Sequence, residues 1–253
     1  MEKISAVIIT RNEERVIGRA LDSLSWADEI VVVDQFSSDG TAGICRGRGC
    51  RVFERELDGF GAQKQFGVRQ ASNDWVFSMD ADEVVTPELR DSMLAAVAAG
   101  PREAGFMVYR ANYYLGRRIR HCGWYVPILR LFRRSRGAFD GRLVHESVVV
   151  DGPVGTLDGD LLHYTYTGIA DQLRKMDLYS SKDAEELRRR GVRVGALNAA
   201  WYLLLKPAAV LFRKYVLLGG FMEGLHGLVL SCFAAFGVCL NYAKLWELQR
   251  RDE

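Results

Sequence analysis

Three carboxylates lie where a strand pattern gives way to a turn. Asp80 and Asp82 are two residues apart at the end of WVFSMD, and Asp34 closes the apolar run of EIVVVD. Two carboxylates at this spacing, on a strand that ends in a loop, can converge on one hard cation such as Mg²⁺ or Mn²⁺, which is often shared with substrate phosphates. The pair therefore indicates a metal and nucleotide site, and a solvated acidic turn is the alternative interpretation.

Asp34 ends an otherwise apolar strand, where a carboxylate is costly unless it meets a partner. A nucleobase N–H would be such a partner. The alternative is that Asp34 forms a turn or a cap, since Asp side chains often bond to nearby backbone N–H groups. The segment 37–41 that follows, SSDGT, can cap the next helix in the same way.

The segments around these carboxylates alternate between strand and helix patterns. We predict strands at ISAVII, EIVVVD, CRVFE and WVFSMD, with helices at 16–24, from Thr41 and at AQKQFGVRQA. A fourth helix is predicted from Pro87 to about Ala99, with Thr86 as its N-cap. This alternation predicts an open, mostly parallel, Rossmann-like α/β sheet with helices on both faces, in which ligands bind outside the carboxyl ends of the strands.

Composition and missing motifs exclude several classes of protein. The chain has 253 residues, 49% hydrophobic and 26% charged, which suits one large core and not a disordered or fibrous protein. The sequence lacks GxGxxG after a strand, GxxxxGK[ST] and GxSxG, so dinucleotide oxidoreductases, P-loop enzymes and α/β-hydrolases are disfavoured. The five scattered cysteines form no CxxC pair, which disfavours a zinc site and favours a reducing compartment. No signal peptide is recognisable, and we expect a cytoplasmic protein.

The motifs VIITRNEE, VVVDQFSSDGT and FSMDADE, each at a strand end, resemble the family 2 glycosyltransferases of GT-A fold. The resemblance covers about the first 90 residues closely, and it implies a nucleotide-sugar donor, with UDP-hexose the expected one. It implies that the uracil and ribose are bound by four residues: Thr10, Asn12, Glu13 and Asp34.

The same resemblance assigns the metal and the leaving group. It implies that Asp82 binds Mg²⁺ or Mn²⁺ and that Asp80 lies by the ribose and the metal. Lys64 in GAQKQFG is expected to face the nucleotide, and a solvated lysine is the alternative. His163 either completes the metal shell, touches the diphosphate or is a structural residue, as His145 is expected to be.

The second half, with ILRLFRR, DGRLVHESV and LLHYTY, resembles bacterial enzymes that build the lipopolysaccharide core, notably heptose-directed β-glucosyltransferases. This implies inverting transfer to a lipid-linked saccharide, which needs a base for the acceptor hydroxyl. Glu146 in VHESV is the predicted base, and an ion pair with Arg142 is the alternative. Asp140 is the next choice of base.

Aromatic residues and arginines alternate between Tyr113 and Trp124. Aromatic rings stack on sugars and arginines bind phosphates, so this loop is either an acceptor site or an exposed basic loop. Nucleic acid is not an expected partner, because the formal net charge is only +2 and no nucleic-acid-binding motif is present.

The end of the chain is apolar and basic. We predict two helical stretches, 196–218 and 219–246, and residues 188–253 hold ten Lys and Arg against four Asp and Glu, a net charge of +6. Residues 224–243 are uncharged and reach the minimum length of a membrane span, although several are Gly, Ser or polar. The other interpretations are a helix hairpin lying peripherally on an anionic membrane and a homo-oligomer interface.

The sequence thus predicts three parts, a nucleotide-sugar half (1–104), an acceptor half (105–195) and a membrane-associating or oligomerising tail (196–253). Three alternative functions remain: a polyprenyl-phosphate sugar synthase, a sugar nucleotidyltransferase and a non-enzymatic membrane scaffold. The nucleotidyltransferase would need a basic, Gly-rich loop after the first strand, where this chain has the acidic TRNEER.

Overall fold

A computed structural model describes residues 2–140, 147–166 and 168–251. The strands are β1 (Ile4–Thr10), β2 (Glu29–Asp34), β3 (Arg51–Glu54), β4 (Trp75–Asp80), β5 (Glu83–Val85), β6 (Gly105–Tyr114), β7 (Arg117–Arg118), β8 (Tyr125–Arg133), β9 (Gly137–Phe139), β10 (Val148–Val150) and β11 (Val154–Tyr166). The α-helices are α1 (Ile17–Asp22), α2 (Thr41–Gly47), α3 (Phe60–Gln70), α4 (Pro87–Ala98), α5 (Ile169–Arg189), α6 (Lys206–Phe212) and α7 (Gly224–Arg251).

The main sheet has the strand order β3-β2-β1-β4-β8-β6-β11-β5, with β7 paired to β6. Strand β1 pairs in parallel with β2 and β4, and β2 pairs in parallel with β3. The chain therefore winds outward from β1 to β3 and returns to place β4 on the other side of β1. This reversal is the point at which open α/β sheets bind ligands, at the carboxyl ends of the strands. A small antiparallel sheet joins β9 and β10.

The unbroken apolar strands are buried on both faces. In β1, Ile4, Ala6 and Ile8 enter one core cluster, whereas Val7 enters another on the opposite face. In β4, Phe77 and Met79 join the first cluster. A strand that is covered on both sides needs apolar residues at successive positions, which explains the run in each sequence. Strands β1 to β4 pair in parallel as predicted, whereas β8 pairs antiparallel with β4 and β5 pairs antiparallel with β11, so the sheet as a whole is mixed. The predicted Rossmann-like α/β fold is confirmed.

The predicted element boundaries agree closely with the structure in this half. Strands β2 and β4 have the predicted bounds, and β3 begins one residue later than CRVFE suggests. Helix α4 begins at Pro87, and the Thr86 hydroxyl accepts a hydrogen bond from the Leu89 N–H at 3.3 Å, as expected of an N-cap.

The chain divides into two compact units. The first contains residues 1–111 and 126–163, and the second contains residues 112–125 and 164–253. The second unit therefore combines the aromatic and arginine-rich loop with the tail. The three-part division by function stays a prediction.

The tail is helical and apolar, as the sequence predicts. A helical segment spans residues 199–217, in which π-helical turns at Trp201–Leu205 and Arg213–Leu217 flank α6. Pro207 lacks an N–H and its ring crowds the carbonyl of the preceding turn, so the wider turn before it accommodates the ring. Gly219, at φ 68°, ends this segment. Among the described residues, one helical stretch, Gly220–Arg251, is long and apolar enough to cross a membrane.

Glu29 bonds to three segments at the start of the sheet, and its ionisation makes the free energy of unfolding depend on pH. Its carboxylate accepts hydrogen bonds from Ser5 Oγ at 2.6 Å and from Ser72 N at 2.8 Å, and pairs with Arg51. Burial opposes ionisation, but these hydrogen bonds lower the pKa of Glu29 from 4.5 to about 2. A lowered pKa stabilises the fold fully above the ordinary value, and this contribution is lost as pH falls towards the folded value.

Replacement of Glu29 by glutamine is therefore expected to lower the free energy of unfolding at pH 7 by about 3 kcal/mol. The difference from wild type should shrink as pH falls from about 5 to 2, which urea titrations at several pH values would measure. Glu54→Gln is the control, because Glu54 forms an exposed pair with Arg46. An equal, pH-independent loss in the Glu29 variant would contradict this account.

Candidate active site

Hydrogen bonds join the turn after β1 to the turn after β2. In each bond, a side chain of one turn accepts from a backbone N–H of the other. The Asn12 N–H donates to Ser37 Oγ and the Ser38 N–H donates to Asn12 Oδ1, both at 2.8 Å. The Glu13 N–H donates to Thr41 Oγ1 at 2.8 Å. Asn12 has φ 54°, a left-handed conformation that asparagine tolerates better than most residues. These contacts explain why TRNE and SSDGT occur together, since each turn orders the other.

Thr10 and Asp34 lie side by side at the carboxyl ends of β1 and β2. Asp34 is 1% exposed, and its carboxylate accepts hydrogen bonds from Ser37 N at 2.8 Å and from Ser37 Oγ at 2.6 Å. Thus Asp34 forms the turn that the sequence left open as an alternative, and each oxygen can still accept a second bond. Thr10 Oγ1 is buried and has no hydrogen-bond partner among the described residues. A buried hydroxyl in this state costs about 1–3 kcal/mol, which a hydrogen bond to a ligand would recover.

Lys64 is buried against β1 and β4 by the close approach of α3. A Cβ atom on Gly67, one turn later, would lie 2.5 Å from Val7 Cγ1, so only glycine permits this approach. The Lys64 side chain is 5% exposed and its ammonium lies 2.7 Å from Asp80 Oδ1. Lys64 is therefore not the solvated lysine that the sequence allowed.

Asp80 belongs to a cluster of buried charges. Its Oδ2 lies 2.9 Å from the Arg130 guanidinium, which also lies 3.0 Å from Glu83 Oε1. Glu83, fully buried, accepts a hydrogen bond from the Asp80 N–H at 2.8 Å and lies 3.8 Å from Arg110. Three cations and two carboxylates give these five groups a net charge of +1. An excess of positive charge here suits a diphosphate leaving group.

This cluster keeps Asp80 ionised. Burial alone would raise the pKa of Asp80, but the Lys64 ammonium and the Arg130 guanidinium hold the pKa well below its ordinary value. Both carboxylate oxygens already face a cation within 3 Å. Asp80 thus orients Lys64 and Arg130. This function is separate from the predicted one, in which Asp80 lies beside the ribose and the metal.

Asp82 and His163 lie together beyond the end of β4. His163 is on β11, opposite Glu83 of β5, and its Nε2 lies 3.5 Å from Asp82 Oδ1. Within the described parts of the chain, no three His, Cys, Asp or Glu side chains are grouped to hold a metal ion. The donor set nevertheless fits Mg²⁺ or Mn²⁺, because such ions are commonly held by one or two protein ligands and complete their shell with water and substrate phosphates.

The predicted base, Glu146, and its neighbours Arg142 and His145 lie outside the described residues. The structure describes both ends of this segment. Asp140 Oδ1 accepts a hydrogen bond from the Ser147 N–H at 3.1 Å, and the Asp140 N–H donates to Ser147 O at 2.8 Å. Asp140, the second choice of base, therefore bonds to Ser147 across the segment that contains the first choice.

The aromatic and basic loop is ordered within the second unit. Tyr113 stacks on Tyr164 with ring centroids 4.9 Å apart, and Arg118 lies over the Tyr125 ring. Glu223 accepts hydrogen bonds from the backbone N–H groups of Arg120 and His121. The loop thus combines the half-buried rings of Tyr113 and Trp124 with the exposed cations of Arg117 and Arg120.

Three residues of the charged cluster were not predicted from the sequence: Glu83, Arg110 and Arg130. Arg130 occupies a central position of β8, and Glu83 begins β5 directly after Asp82. One signal was present for Arg130: it stands in the apolar strand pattern ILRLF, where a cation is costly unless it is paired. Its partner at Asp80 is 50 residues away in the sequence, which no local pattern reveals.

The chain thus combines an open α/β sheet with ordered turns after β1 and β2 and with carboxylates at the end of β4. The sequence matches the family model described as Glycosyl transferase family 2 over residues 5–146, more than half of the chain. The chain therefore belongs to glycosyl transferase family 2, and the predicted family and GT-A fold are confirmed.

Two relatives that match along nearly all of this chain support the assignment. The chain is 32% identical to the lipopolysaccharide core biosynthesis glycosyltransferase LpsC of Rhizobium meliloti, over 96% of this chain and 92% of that protein. It is also 32% identical to an uncharacterised glycosyltransferase of Rickettsia typhi, over 100% of this chain and 89% of that one. The crystal structure of S. aureus TarS has a similar fold, with a TM-score of 0.50 and 18% identity. That comparison covers 95% of this chain and 55% of the TarS chain.

Proposed function

We propose that this glycosyltransferase transfers a hexose from UDP to a membrane-associated saccharide such as the lipopolysaccharide core, with inversion at the transferred carbon. The observation that carries the proposal is the arrangement of Asp82 and His163 next to the cationic cluster of Lys64, Asp80 and Arg130. It places ligands for a divalent ion beside the cations Lys64 and Arg130, and a departing nucleoside diphosphate requires such positive groups.

The donor is bound at the carboxyl ends of β1 and β2. Thr10 Oγ1 and Asp34 offer polar atoms to the nucleobase and ribose, and the ordered turn at Asn12 and Glu13 forms the edge of this site. The unpartnered hydroxyl of Thr10 supports the assignment, because a ligand would satisfy it. UDP is the nucleotide implied by the resemblance of these motifs to family members.

A divalent ion held by Asp82 and His163 would act as a Lewis acid that neutralises the diphosphate. Lys64 and Arg130 add positive charge from the protein, and Asp80 and Glu83 hold both cations in place. Glu146 takes the proton of the acceptor hydroxyl while the hydroxyl oxygen forms a bond to the sugar carbon. The bond from that carbon to the diphosphate breaks, and its electrons leave with UDP.

The acceptor is assigned by similarity. The Rhizobium relative that matches nearly the whole chain is named for lipopolysaccharide core biosynthesis, and the second half of this chain resembles heptose-directed enzymes. The rings of Tyr113 and Tyr164 and the nearby arginines of the second unit suit a phosphorylated saccharide. A lipid-linked acceptor also agrees with an enzyme that works in the cytoplasm at the inner face of the membrane.

A thermal-shift screen with Mn²⁺ and UDP-, GDP-, CMP- and dTDP-sugars tests the donor. A ligand that binds only the folded state raises the Tm by mass action, and we expect this for UDP-sugars alone. Release of UDP on addition of a core oligosaccharide that lacks the transferred hexose would test the acceptor. A shift with another nucleotide, or release of UDP only to water, would contradict the corresponding part of the proposal.

Thr10→Val gives a sharper test, because stability and binding should change in opposite directions. Removal of an unpartnered buried hydroxyl should leave the Tm unchanged or raise it, while the affinity for UDP should fall by about 2- to 10-fold for one lost hydrogen bond. Thr41→Val is the matched control, since its hydroxyl accepts the Glu13 N–H and its loss should lower the Tm. Unchanged UDP affinity in the Thr10 variant would remove Thr10 from the site.

A further inference from the structure

The exposed face of the helical segment 199–217 is apolar. Ten exposed positions recur at the spacing of one helix face: Ala200, Trp201, Leu204, Leu205, Ala208, Ala209, Phe212, Arg213, Val216 and Leu217. Nine of them are apolar, and the large side chains among them are between 44% and 67% exposed. A helix on the surface of a soluble protein normally carries polar residues on this face. This outward stripe therefore marks a surface that contacts something other than water.

The apolar surface continues into the next turn, where basic residues adjoin it. Phe221 and Met222, which follow the stripe, are 55% and 59% exposed. Between them and α7, Glu223 is buried and lies 2.7 Å from His121 Nδ1 and 3.5 Å from the Arg117 guanidinium. This contact holds the loop that carries Arg117 and Arg120 beside the apolar turn.

The chain segments that carry this surface are basic. Residues 112–125 and 194–246 contain seven Lys and Arg and a single carboxylate, Glu223. Glu223 is 4% exposed and is used in the contact just described, so the exposed charges are positive. Arg213 lies within the outward stripe itself, where its long side chain can reach past apolar neighbours.

We propose that the outward stripe and the turn at Phe221 and Met222 dock the enzyme on an anionic lipid surface, with the helical segment 199–217 lying in the plane of the interface. Apolar side chains on one side and cations at the edge are the features of such helices. This proposal adds a membrane partner to the proposed function. It rests on the proposed function only in placing the acceptor at a membrane.

Neither a span nor a second copy fits these contacts as well. Helix α7 bonds to α5 through Asn241 and Asp183 at 2.9 Å and through Lys244 and Asp177 at 2.7 Å. Ten of the 21 residues of α5 are charged, so insertion of α7 across a bilayer would break these bonds or draw charges into lipid. A contact between two copies would bury Arg213, and residues 112–125 and 194–246 of either copy offer no exposed carboxylate to pair with it.

Flotation of the full chain with lipid vesicles tests the proposal without donor or acceptor. Wild type should bind vesicles that contain phosphatidylglycerol more tightly than pure phosphatidylcholine vesicles, and added salt should weaken binding without abolishing it. Phe212→Ser combined with Leu217→Gln should weaken binding by about 10- to 100-fold, because both side chains leave water on docking. Arg213→Gln should weaken it by about fivefold, only on anionic vesicles.

Leu94→Gln on α4 is the matched control, because Leu94 is also an exposed apolar residue, but in the first unit. All these positions are exposed, so the variants are expected to fold, and their response to UDP in the thermal-shift screen shows whether the donor site is intact. Equal vesicle binding by wild type and the double variant would overturn the proposal. So would a wild-type dimer that the double variant dissociates, or full-length protein that resists carbonate extraction from membranes.

Discussion

Replacement of Glu146 by glutamine is expected to lower kcat by about 10²–10⁴-fold, the usual contribution of a positioned base. Glutamine keeps the size of the side chain but cannot take the proton of the acceptor hydroxyl. Donor affinity should stay nearly unchanged, because Thr10, Asp34 and Asp82 lie on other elements. Steady-state kinetics with donor and acceptor varied separately, together with UDP binding, would measure both quantities.

Asp140→Asn distinguishes the proposed base, Glu146, from a residue that acts by positioning it. Because Asp140 bonds to the Ser147 N–H across the segment that carries Glu146, its variant should lose activity through positioning. The acid limb of kcat against pH should therefore persist in Asp140→Asn and vanish in Glu146→Gln. Near-normal turnover of the Glu146 variant, with the acid limb lost in the Asp140 variant, would assign the base to Asp140.

The sequence predicts the nucleotide half well because its signals are local. Strands β2 and β4 are apolar at successive positions because both of their faces are covered. A short apolar run that is followed directly by turn residues is typical of a buried strand and not of a helix. The N-cap at Thr86 and Pro87 is likewise settled within four residues. Such features depend on neighbours in the chain and can be recognised without the fold.

The roles of the charged residues depend on distant partners and are less visible. Asp34 and Asp80 have the same place in their strands, yet Asp34 bonds to the turn at Ser37 while Asp80 bonds to Lys64 and Arg130. Nothing in either motif distinguishes the two cases. The burial of Lys64 depends on the approach of α3 at Gly67, which is a property of the packed sheet.

The apolar tail shows a third kind of limit. Composition indicates a helix that avoids water, but it does not tell which face is covered. In the structure, Pro207 is buried while Leu204, Leu205 and Phe212 are exposed, so the apolar excess lies outward. A hydrophobic pattern alone would place those residues in a core.

Replacement of Asp82 by asparagine is expected to weaken divalent-dependent binding of UDP by more than about 100-fold, since even residues that only support a metal ligand change affinity by 10- to 100-fold. The fold should stay intact. Calorimetric titration of Mn²⁺ with UDP present measures this loss directly and does not depend on turnover. His163→Gln should also weaken this binding, because Nε2 of His163 lies 3.5 Å from Asp82 Oδ1.

A variant that combines Asp82→Asn and His163→Gln decides whether these two residues hold one ion. If they do, the second substitution should weaken Mn²⁺ binding much less than it does alone, because the effects of residues that share a ligand are not additive. Asp80→Asn is the contrasting variant: it leaves Lys64 and Arg130 short of a counter-charge and should lower the free energy of unfolding by about 2–3 kcal/mol. Wild-type binding of Mn²⁺ and UDP by Asp82→Asn would refute the metal assignment. Full additivity of the Asp82 and His163 changes would place the histidine on the diphosphate instead of the ion.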